Sequence, residues 1–303
     1  MDVGLTGATG HLGGRLLALL LGDPRIERVR TVARGDVAPH PRVVHTRADL
    51  RDGAARRALE GVDVLWHLGA QVWRGAEQAD VNIGGTANVL AARPAHVVFA
   101  SSAAVYGAWP DNPVPLAESD APRPNAACAY ARQKLEGERL AGDAAPAAVV
   151  RVSAVLGPHA DRRVARATRG YRVAVPATRA PLALQFLDED DAAGGLLAAG
   201  MATTAGTWNL APADWLDARA IASVSGGRVL RLPLRAALVA SEAAFRLRVL
   251  PFGADRACLL GGPLALSSAR ARDDLGWTPL RTSAQVLAAV LGQGSRRYIR
   301  QVR

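Results

Sequence analysis

The sequence predicts an α/β protein in which a doubly wound parallel sheet is followed by a smaller C-terminal lobe. Three observations predict this class. A glycine-rich turn joins a short apolar strand to a helix near the start of the chain, apolar strands then alternate with helical stretches, and half of the 303 residues are hydrophobic. Strands that alternate with helices pair in parallel through right-handed crossovers, and ligands of such sheets bind beyond the carboxyl ends of the strands. We therefore expect the functional site along that edge.

The first predicted strand, 2–5, leads directly into three glycines, Gly7, Gly10 and Gly13, and then into an apolar helical run, 15–21. Gly7 permits the tight turn, Gly10 lets the backbone approach a pyrophosphate, and Gly13 allows close packing of the helix. The start of the helix adds unpaired amides and the positive end of its dipole. A strand before the glycines and a helix after them is the context that a dinucleotide site requires.

The further strands of the sheet are predicted at 29–32, 42–45, 62–68 and 96–100. At the end of the second strand an acidic residue would normally accept hydrogen bonds from an adenosine ribose, but here Ala33 is followed by Arg34. An arginine at this turn can pair with a ribose 2′-phosphate, which favours NADP over NAD. Asp36 remains as an alternative ribose acceptor.

Lysine occurs once in this chain: of 37 basic residues, only Lys134 is a lysine. It follows Tyr130 by four residues, so on a helix the two side chains project from the same face. A planar guanidinium does not imitate a compact ammonium, which explains why a chain so biased toward arginine keeps a lysine at this position. Because a cation beside a phenol favours the phenolate, we expect Lys134 to lower the pKa of Tyr130.

The net charge of +10 does not indicate a nucleic-acid partner, because basic and acidic residues are interspersed and no basic stripe carries interleaved aromatics. The basic segment 295–303 is interpreted as a solvated terminus. Cys128 and Cys258 are far apart in sequence and lack a nearby histidine array, so neither a disulfide framework nor a metal site is expected. The chain shows no leader and no apolar stretch of membrane length, which predicts a cytoplasmic protein without a membrane partner.

These residues resemble the short-chain dehydrogenase/reductase superfamily, in particular its extended, epimerase/dehydratase-like branch, over most of the chain. The resemblance rests on segments that occur in the family's order: the glycine loop at 6–13, the adenine-contacting pair at 49–50, the segment beneath the cofactor at 67–70, the Asn-x-x-Gly-Thr helix at 82–86, the serine strand at 99–107 and the Tyr-x-x-x-Lys pair at 130–134. Each segment alone is modest evidence, whereas the ordered set is specific.

The resemblance implies that Ser102, Tyr130 and Lys134 are catalytic. Ser102 would bond a substrate oxygen, Tyr130 would donate or remove the proton on that oxygen as hydride moves to or from nicotinamide, and Lys134 would hold the nicotinamide ribose. Ser101 would instead pack or bond the backbone. Cofactor contacts are implied for Gly7, Thr9, Gly10, His11, Leu12, Gly13, Arg34, Asp49, Leu50, Leu68, Gly69, Ala70, Asn82, Ala100, Tyr130 and Lys134.

The resemblance also implies two domains. A dinucleotide-binding Rossmann domain would span 1–155, with 185–212 returning to it. A small, mostly helical substrate-binding lobe would take 156–184 and 213–303.

Three local predictions concern the elements around the catalytic residues. The segment 151–158 resembles the family's sixth strand. Asn125 is a candidate cap for the helix that carries Tyr130. Glu136 and Glu138 are expected on the solvated side of that helix.

Two departures from the family's pattern bear on the substrate. Members of the branch that act on nucleotide sugars often have an asparagine where Ala154 stands and an arginine near Leu184, groups that hold the sugar-linked diphosphate. Each of these charge-assisted bonds is worth about 1.5–3 kcal/mol, so their loss disfavours nucleotide-sugar activity. Arginines of the run 162–172 are the alternative partners that could replace them. That run is interpreted first as a solvated helix face.

The leading interpretation is an NAD(P)-dependent oxidoreductase that acts on a carbonyl/alcohol pair of a small organic substrate. The alternative is a nucleotide-sugar epimerase or dehydratase that uses tightly bound NAD without net redox change. A third hypothesis is a sensor or scaffold that binds a dinucleotide without turnover. The presence of Ser102, Tyr130 and Lys134 disfavours it, because a sensor needs only the glycine loop. The resemblance is also compatible with a homodimer, because helices that flank the sheet often pair between two subunits in this family.

Overall fold

The computed structural model describes residues 1–292, and the basic segment 295–303 lies outside them. The strands in chain order are β1 (Asp2–Thr6), β2 (Arg28–Ala33), β3 (Val43–Arg47), β4 (Val64–His67), β5 (His96–Ser102), β6 (Ala147–Val152), β7 (Ala154–Leu156), β8 (Ala174–Ala177), β9 (Phe186–Asp188), β10 (Gly206–Leu210) and β11 (Arg228–Arg231). The helices are α1 (His11–Gly22), α2 (Gly53–Ala58), α3 (Thr86–Leu90), α4 (Ala129–Ala144), α5 (Arg162–Gly170), α6 (Glu189–Ala202), α7 (Ala218–Ser225), α8 (Leu234–Arg246), α9 (Ala254–Ala257), α10 (Ala269–Leu275) and α11 (Ser283–Val290). A π-helical turn (Asp80–Gly85) precedes α3, and two 3-10 turns (Ala103–Tyr106 and Cys258–Leu260) follow β5 and α9.

Seven strands form one parallel sheet in the order β10-β6-β5-β4-β1-β2-β3. β1 pairs with β2 on one side and with β4 on the other, so the strand order reverses between β1 and β4. Such a reversal opens a crevice at the carboxyl ends of these strands. β1 to β5 begin and end within two residues of their predicted positions. The predicted doubly wound α/β fold is confirmed.

The single strand predicted at 151–158 is wrong in its bounds. β6 begins earlier, at Ala147, and ends at Val152, whereas β7 leaves the main sheet and pairs with β9. All six residues of β6 are buried, because helices cover both faces of a central parallel strand. Most of the residues that form this strand therefore precede residue 151.

Helices cover both faces of the main sheet. α1 and α6 pack on one face, around Trp66, and α2, α3 and α4 pack on the other, around Phe99. Trp66 fits α6 closely, because its Nε1 donates to the carbonyl oxygen of Leu196 at 2.8 Å. A Cβ at Gly200 would lie 2.1 Å from Trp66 Cζ2, so only glycine fits where α6 crosses the indole.

The C-terminal part of the chain has an apolar core of its own. This core includes Leu156, Phe186, Ile221 and Leu287, which come from β7, β9, α7 and α11. β8 and β11 add a separate two-stranded parallel sheet. An independent apolar centre of this kind is what a small lobe needs in order to pack on the main sheet as a unit.

Glu138 is buried, contrary to the prediction that it faces solvent. Its carboxylate pairs with Arg151 of β6 at 2.7 Å and accepts a hydrogen bond from the Ser101 hydroxyl at 2.5 Å. The two partners of the ion pair expose only 8% and 7% of their side chains. Glu136 does face solvent and pairs with Arg139 within α4. The helix thus carries one buried and one exposed acid, two residues apart.

These two acids allow a matched comparison of a buried and an exposed ion pair. We expect Glu138→Ala to lower the free energy of unfolding by about 3–5 kcal/mol, because it leaves the Arg151 guanidinium buried without its partner. Glu136→Ala should cost about 0–1 kcal/mol, because solvent screens the exposed pair. Urea denaturation of both variants measures the difference, and equal losses would contradict the burial of Glu138.

Candidate active site

The candidate active site lies at the carboxyl end of β5, beside the start of α4. Ser102 is the last residue of β5, Tyr130 lies in the first turn of α4, and Lys134 lies one turn later. α4 packs very closely on β5, since a Cβ at Gly137 would lie 2.3 Å from Phe99 Cζ. The three residues predicted to be catalytic therefore belong to two adjoining elements.

Lys134 is buried, with 6% of the residue exposed. Its Nζ donates to the carbonyl oxygen of Ala100 at 2.7 Å and lies 4.9 Å from the Phe99 ring centroid and 5.9 Å from the Tyr130 ring centroid. The phenol and the ammonium thus share one face of α4. Burial lowers the pKa of Lys134 to about 8, although the Glu138 carboxylate acts in the opposite direction.

The pKa of Tyr130 is raised, which is the reverse of the predicted shift. Burial of the phenol is the main cause, and the positive charge of Arg256 acts against it. Lys134, whose ammonium is bonded to the Ala100 carbonyl, is not the cation that lowers this pKa. Arg256 belongs to α9, and its Cζ lies 4.4 Å from the Tyr130 ring centroid. At neutral pH the phenol is therefore protonated.

The pKa of Lys134 predicts two opposite effects of pH. If turnover needs the ammonium, kcat should fall as the pH rises through about 8. The contribution of Lys134 to the free energy of unfolding should rise between pH 8 and 10.5, because there the unfolded chain keeps the proton that the folded protein has released. A pH–rate profile and urea denaturation at several pH values measure the two effects. A kcat that stays constant well above this pKa would contradict the role of the ammonium.

The two serines at the end of β5 have different surroundings. Ser101 is buried, and its hydroxyl hydrogen is used in the bond to Glu138. Ser102 is partly exposed, and its Oγ accepts a hydrogen bond from the Ala104 amide at 3.2 Å, which caps the 3-10 turn. A hydroxyl that accepts one bond still has its own hydrogen to donate. Ser102 therefore has a donor for a substrate oxygen.

The turn after β1 has the geometry of a dinucleotide cradle. Gly7 has a φ of 75°, in the left-handed region that favours glycine, and its carbonyl oxygen accepts from the Gly10 amide at 2.9 Å. A Cβ at Gly13 would lie 2.0 Å from the Gly7 oxygen, so no side chain fits there. His11 and Leu12 open α1, where the first amides of a helix lack partners within it. The residues present fit a pyrophosphate group.

The ends of β1 and β4 are tied together beside this turn. Thr6 Oγ1 is bonded to His67 Nδ1 at 2.7 Å and accepts from the Gly69 amide at 3.0 Å. Burial lowers the pKa of His67 to about 3, so its ring is neutral. These bonds hold residues 68–70, part of the segment predicted to lie beneath the cofactor, close to the glycine turn. A Cβ at Gly7 would lie 2.9 Å from the Gly69 nitrogen.

The turn after β2 lies next to the glycine turn. A Cβ at Gly35 would lie 3.5 Å from Thr9 Cγ2, so these two loops are neighbours. Thr9 and Arg34 are both exposed. Asp36, the alternative ribose acceptor, is also exposed and lies 3.5 Å from an Arg47 nitrogen.

Three more of the predicted cofactor residues have partners within the protein. Asp49 accepts a hydrogen bond from Arg51 at 2.8 Å, and this bond lowers its pKa. Leu50 is buried, as an adenine-contacting apolar residue would be. The Asn82 amide donates to the carbonyl oxygen of Gln71 at 3.0 Å and accepts from its backbone amide at 2.7 Å. Asn82 thereby holds the loop that follows β4.

The C-terminal lobe brings two arginines to this site, of which sequence reasoning missed one. Arg256, which stacks over Tyr130, donates to the carbonyl oxygen of Val72 at 2.5 Å, and its Cζ lies 6.0 Å from the Trp73 ring centroid. Arg163 of α5 lies 5.6 Å from the same ring centroid. No local signal marks Arg256, because α9 is a four-residue helix without a motif. Arg256 therefore places positive charge beside the candidate phenol, and Arg163 lies near the same indole ring as Arg256.

The two positions that depart from nucleotide-sugar enzymes supply no polar side chain. Ala154 is exposed at the start of β7. Leu184 packs against the core of the lobe and exchanges backbone hydrogen bonds with Leu216 at 3.0 and 2.8 Å. The arginines of the run 162–172 are exposed on α5 and just after it.

The start of α4 differs from the predictions in two respects. Asn125 does not cap the helix, because its Oδ1 accepts from the Ala108 amide at 2.8 Å and Cys128 occupies the capping position. Cys128 and Cys258 are free thiols that pack in one small apolar cluster, which includes Ala131. The pKa of Cys128 is lowered, mainly by the adjacent Cys258 thiol.

Residues 1–292 hold no group of three or more His, Cys, Asp or Glu side chains arranged to bind a metal ion. No helix within the same residues is both long and apolar enough to cross a bilayer.

The parallel sheet, the glycine turn after β1 and the order of the motifs define a Rossmann-like α/β protein of the epimerase/dehydratase type. The chain belongs to the NAD dependent epimerase/dehydratase family, whose model matches residues 3–182.

Two sequence relatives are similar to parts of this chain. The chain is 30% identical over 231 residues to an uncharacterized protein of Mycobacterium tuberculosis. The aligned region covers 68% of this chain and 61% of the relative. It therefore spans less than two thirds of that relative's length. It is also 41% identical over 119 residues to Sterol demethylase protein B of Methylococcus capsulatus, which corresponds to 36% of each chain.

Solved structures share the fold. MoeE5 in complex with UDP-glucose and NAD is 23% identical, with a TM-score of 0.73 and coverage of 99% of this chain and 100% of that chain. UDP-glucose 4-epimerase of Thermus thermophilus in complex with NAD is 22% identical, with a TM-score of 0.72 and coverage of 97% and 98%.

Proposed function

We propose that this protein is an NAD(P)-dependent oxidoreductase of the extended short-chain dehydrogenase/reductase type, which moves hydride to or from a carbonyl/alcohol carbon of a small organic substrate. Tyr130 is the proton donor or acceptor, Ser102 bonds the reacting oxygen, and Lys134 holds the nicotinamide ribose. One observation carries the proposal: Tyr130 and Lys134 share a face of α4, and the Lys134 ammonium bonds the Ala100 carbonyl at the end of β5.

Three groups of residues along the sheet edge are proposed to hold the cofactor. These are Gly7, Thr9, Gly10, His11, Leu12 and Gly13 for the pyrophosphate, Arg34, Asp49 and Leu50 for the adenosine, and Leu68, Gly69, Ala70, Asn82, Ala100, Tyr130 and Lys134 for the nicotinamide riboside. When bound, the cofactor supplies or accepts the hydride. We propose NADP rather than NAD, because Arg34 is exposed directly after β2 and the nearby acid Asp36 already lies beside Arg47.

The surroundings of Tyr130 suit it to donate a proton. Burial raises the pKa of the phenol, so the acid form is present at neutral pH. Ser102 donates its hydroxyl hydrogen to the substrate oxygen, and Tyr130 gives its proton to the same oxygen. The guanidinium of Arg256 over the ring then stabilises the phenolate that remains. Oxidation of an alcohol reverses these steps.

We also propose that the substrate carries an anionic group close to the reacting carbon. Arg163 and Arg256 flank Trp73 beside the phenol. A guanidinium recognises carboxylate and phosphate oxygens through paired hydrogen bonds, and an aromatic neighbour helps to hold it in place.

The second candidate is a nucleotide-sugar epimerase or dehydratase with tightly bound NAD. The same two arginines favour it, since they could hold a diphosphate in place of the groups that are missing at Ala154 and Leu184. The solved structure of MoeE5 is described with UDP-glucose and NAD, which is consistent with this candidate. The apolar side chains at both positions support the oxidoreductase as the first choice.

Two measurements on the purified protein distinguish the candidates. Melting temperatures with NADP, NAD, nucleotide sugars and small keto acids report which ligands bind the folded state. We expect NADP to raise the melting temperature more than NAD does, and added NADPH to be consumed with a keto acid. Protein that purifies with a nicotinamide absorbance and converts a nucleotide sugar without added cofactor would favour the epimerase. The absence of any shift with either dinucleotide, in protein that purifies without a nicotinamide absorbance, would refute the cofactor site.

We propose that the chain forms two domains with different binding functions. The first consists of 1–155 together with 185–212, and the second consists of 156–184 together with 213–303. Two observations support this division within the described residues. β10 and α6 join the main sheet and its core, whereas most of the second apolar core comes from the other segments. The first domain would bind the cofactor, and the second would supply the arginines that select the substrate.

A further inference from the structure

Glu189, the first residue of α6, is a buried carboxylate whose partners are two histidines. The side chain is 2% exposed. One oxygen lies 2.5 Å from His11 Nε2, and the other is bonded to His159 Nδ1. The backbone amide of His159 also donates to the carboxylate, at 3.3 Å. The group therefore links α6, the start of α1 and the loop after β7.

The space around this carboxylate requires a glycine at position 157. A Cβ at Gly157 would lie 2.1 Å from Glu189 Oε2 and 2.3 Å from its Cδ. The loop after β7 thus approaches the carboxyl group with bare backbone, and the buried position of Glu189 is shaped by three separate elements.

The position of Glu189 is unfavourable for the cofactor that we propose. His11 opens α1, the helix whose first turn would receive the pyrophosphate, so the carboxylate lies only one side chain away from that anion. Two like charges repel strongly when solvent is excluded between them. A free Glu189 carboxylate would therefore weaken the binding of any dinucleotide.

We propose that His11 is a positioning residue that shields the cofactor pyrophosphate from the Glu189 carboxylate, with His159 bonding the other carboxylate oxygen. This inference rests on the proposed cofactor site. The hydrogen bond between each imidazole and one carboxylate oxygen reduces the negative charge that Glu189 presents to the pyrophosphate. Loss of the His11 side chain should therefore weaken the binding of the cofactor.

The other acids at the start of α6 are partnered by arginines or backbone amides. Asp188 pairs with Arg281 at 2.7 Å, and Asp190 pairs with Arg15 at 2.5 Å. Asp191 accepts hydrogen bonds from the backbone amides of Leu280 and Arg281. Among the acids that open α6, all within the described residues, only Glu189 is bonded to histidines.

The test measures the dissociation constant of NADH by titration calorimetry, because NADH lacks the 2′-phosphate, which itself titrates near pH ~6. We expect His11→Phe to weaken NADH binding about tenfold at pH ~6, since it exposes the anion to the Glu189 charge. The double variant His11→Phe/Glu189→Gln should recover to within about twofold of Glu189→Gln alone.

Two controls keep the result interpretable. Asp190→Asn removes the neighbouring exposed acid and should leave the affinity unchanged. His11→Gln, a neutral hydrogen-bond donor, repeats the experiment if the phenylalanine variant does not fold. Additive losses in the double variant would overturn the inference. If the wild-type protein does not bind NADH at all, the cofactor proposal fails first.

Discussion

Tyr130→Phe is expected to lower kcat by about 10²- to 10⁴-fold, because it removes the hydroxyl that passes a proton to the substrate oxygen. The benzene ring remains, so the stacking of Arg256 and the packing of α4 should persist. The dissociation constant of NADPH should therefore change by less than about twofold. Steady-state kinetics and a cofactor titration on the same preparation measure the two quantities.

Tyr171→Phe is the matched control for this substitution. Tyr171 lies in the C-terminal lobe, where its ring packs against Phe186 at a centroid distance of 6.3 Å. Loss of its hydroxyl should leave kcat near the wild-type value. A Tyr130→Phe variant as active as the control would remove Tyr130 from the mechanism.

Lys134→Arg is expected to damage both cofactor binding and turnover. The ammonium sits between the Ala100 carbonyl and the Phe99 ring in a buried position, and a bulkier planar guanidinium with a fixed fork of donors does not fit such a site. We expect about tenfold weaker NADPH binding and a kcat lower by about 10²-fold. The same titration and kinetics report both effects.

The reverse exchange two residues away provides the control. Arg132 is exposed on the same helix and donates to the carbonyl oxygen of Ala126, so Arg132→Lys should behave like the wild type. If Lys134→Arg binds NADPH and turns over as well as this control, the need for a compact ammonium is refuted.

The features of this protein that follow local rules were predictable from the sequence. The strands β1 to β5 and the glycine turn depend on apolar runs and on glycines that no other residue replaces, and both signals are readable along the chain. Lys134 stood out because a chain that uses arginine at every other basic position keeps one lysine. Its predicted helical partnership with Tyr130 agrees with the structure, in which the two side chains share a face of α4.

The features that depend on contacts between distant segments were not predictable. Arg256 reaches Tyr130 across 126 positions of sequence, which is the difference between the two residue numbers, and no periodicity marks it. The direction of the Tyr130 pKa shift was wrong for the same reason, since the phenol is buried and distant residues such as Leu238 and Leu259 pack in the same apolar cluster. Glu138 was assigned to solvent because its buried partner, Arg151, lies on a strand that follows the helix.

The stacking of Arg256 on Tyr130 has a consequence for how this family can diversify. The acid strength of the phenol is set partly by its own helix and partly by a residue that the other lobe carries. A chimera that keeps the dinucleotide half and takes its lobe from a relative without this arginine would inherit a weaker acid together with a new specificity. An exchange of lobes should therefore change the substrate and the optimum pH at the same time.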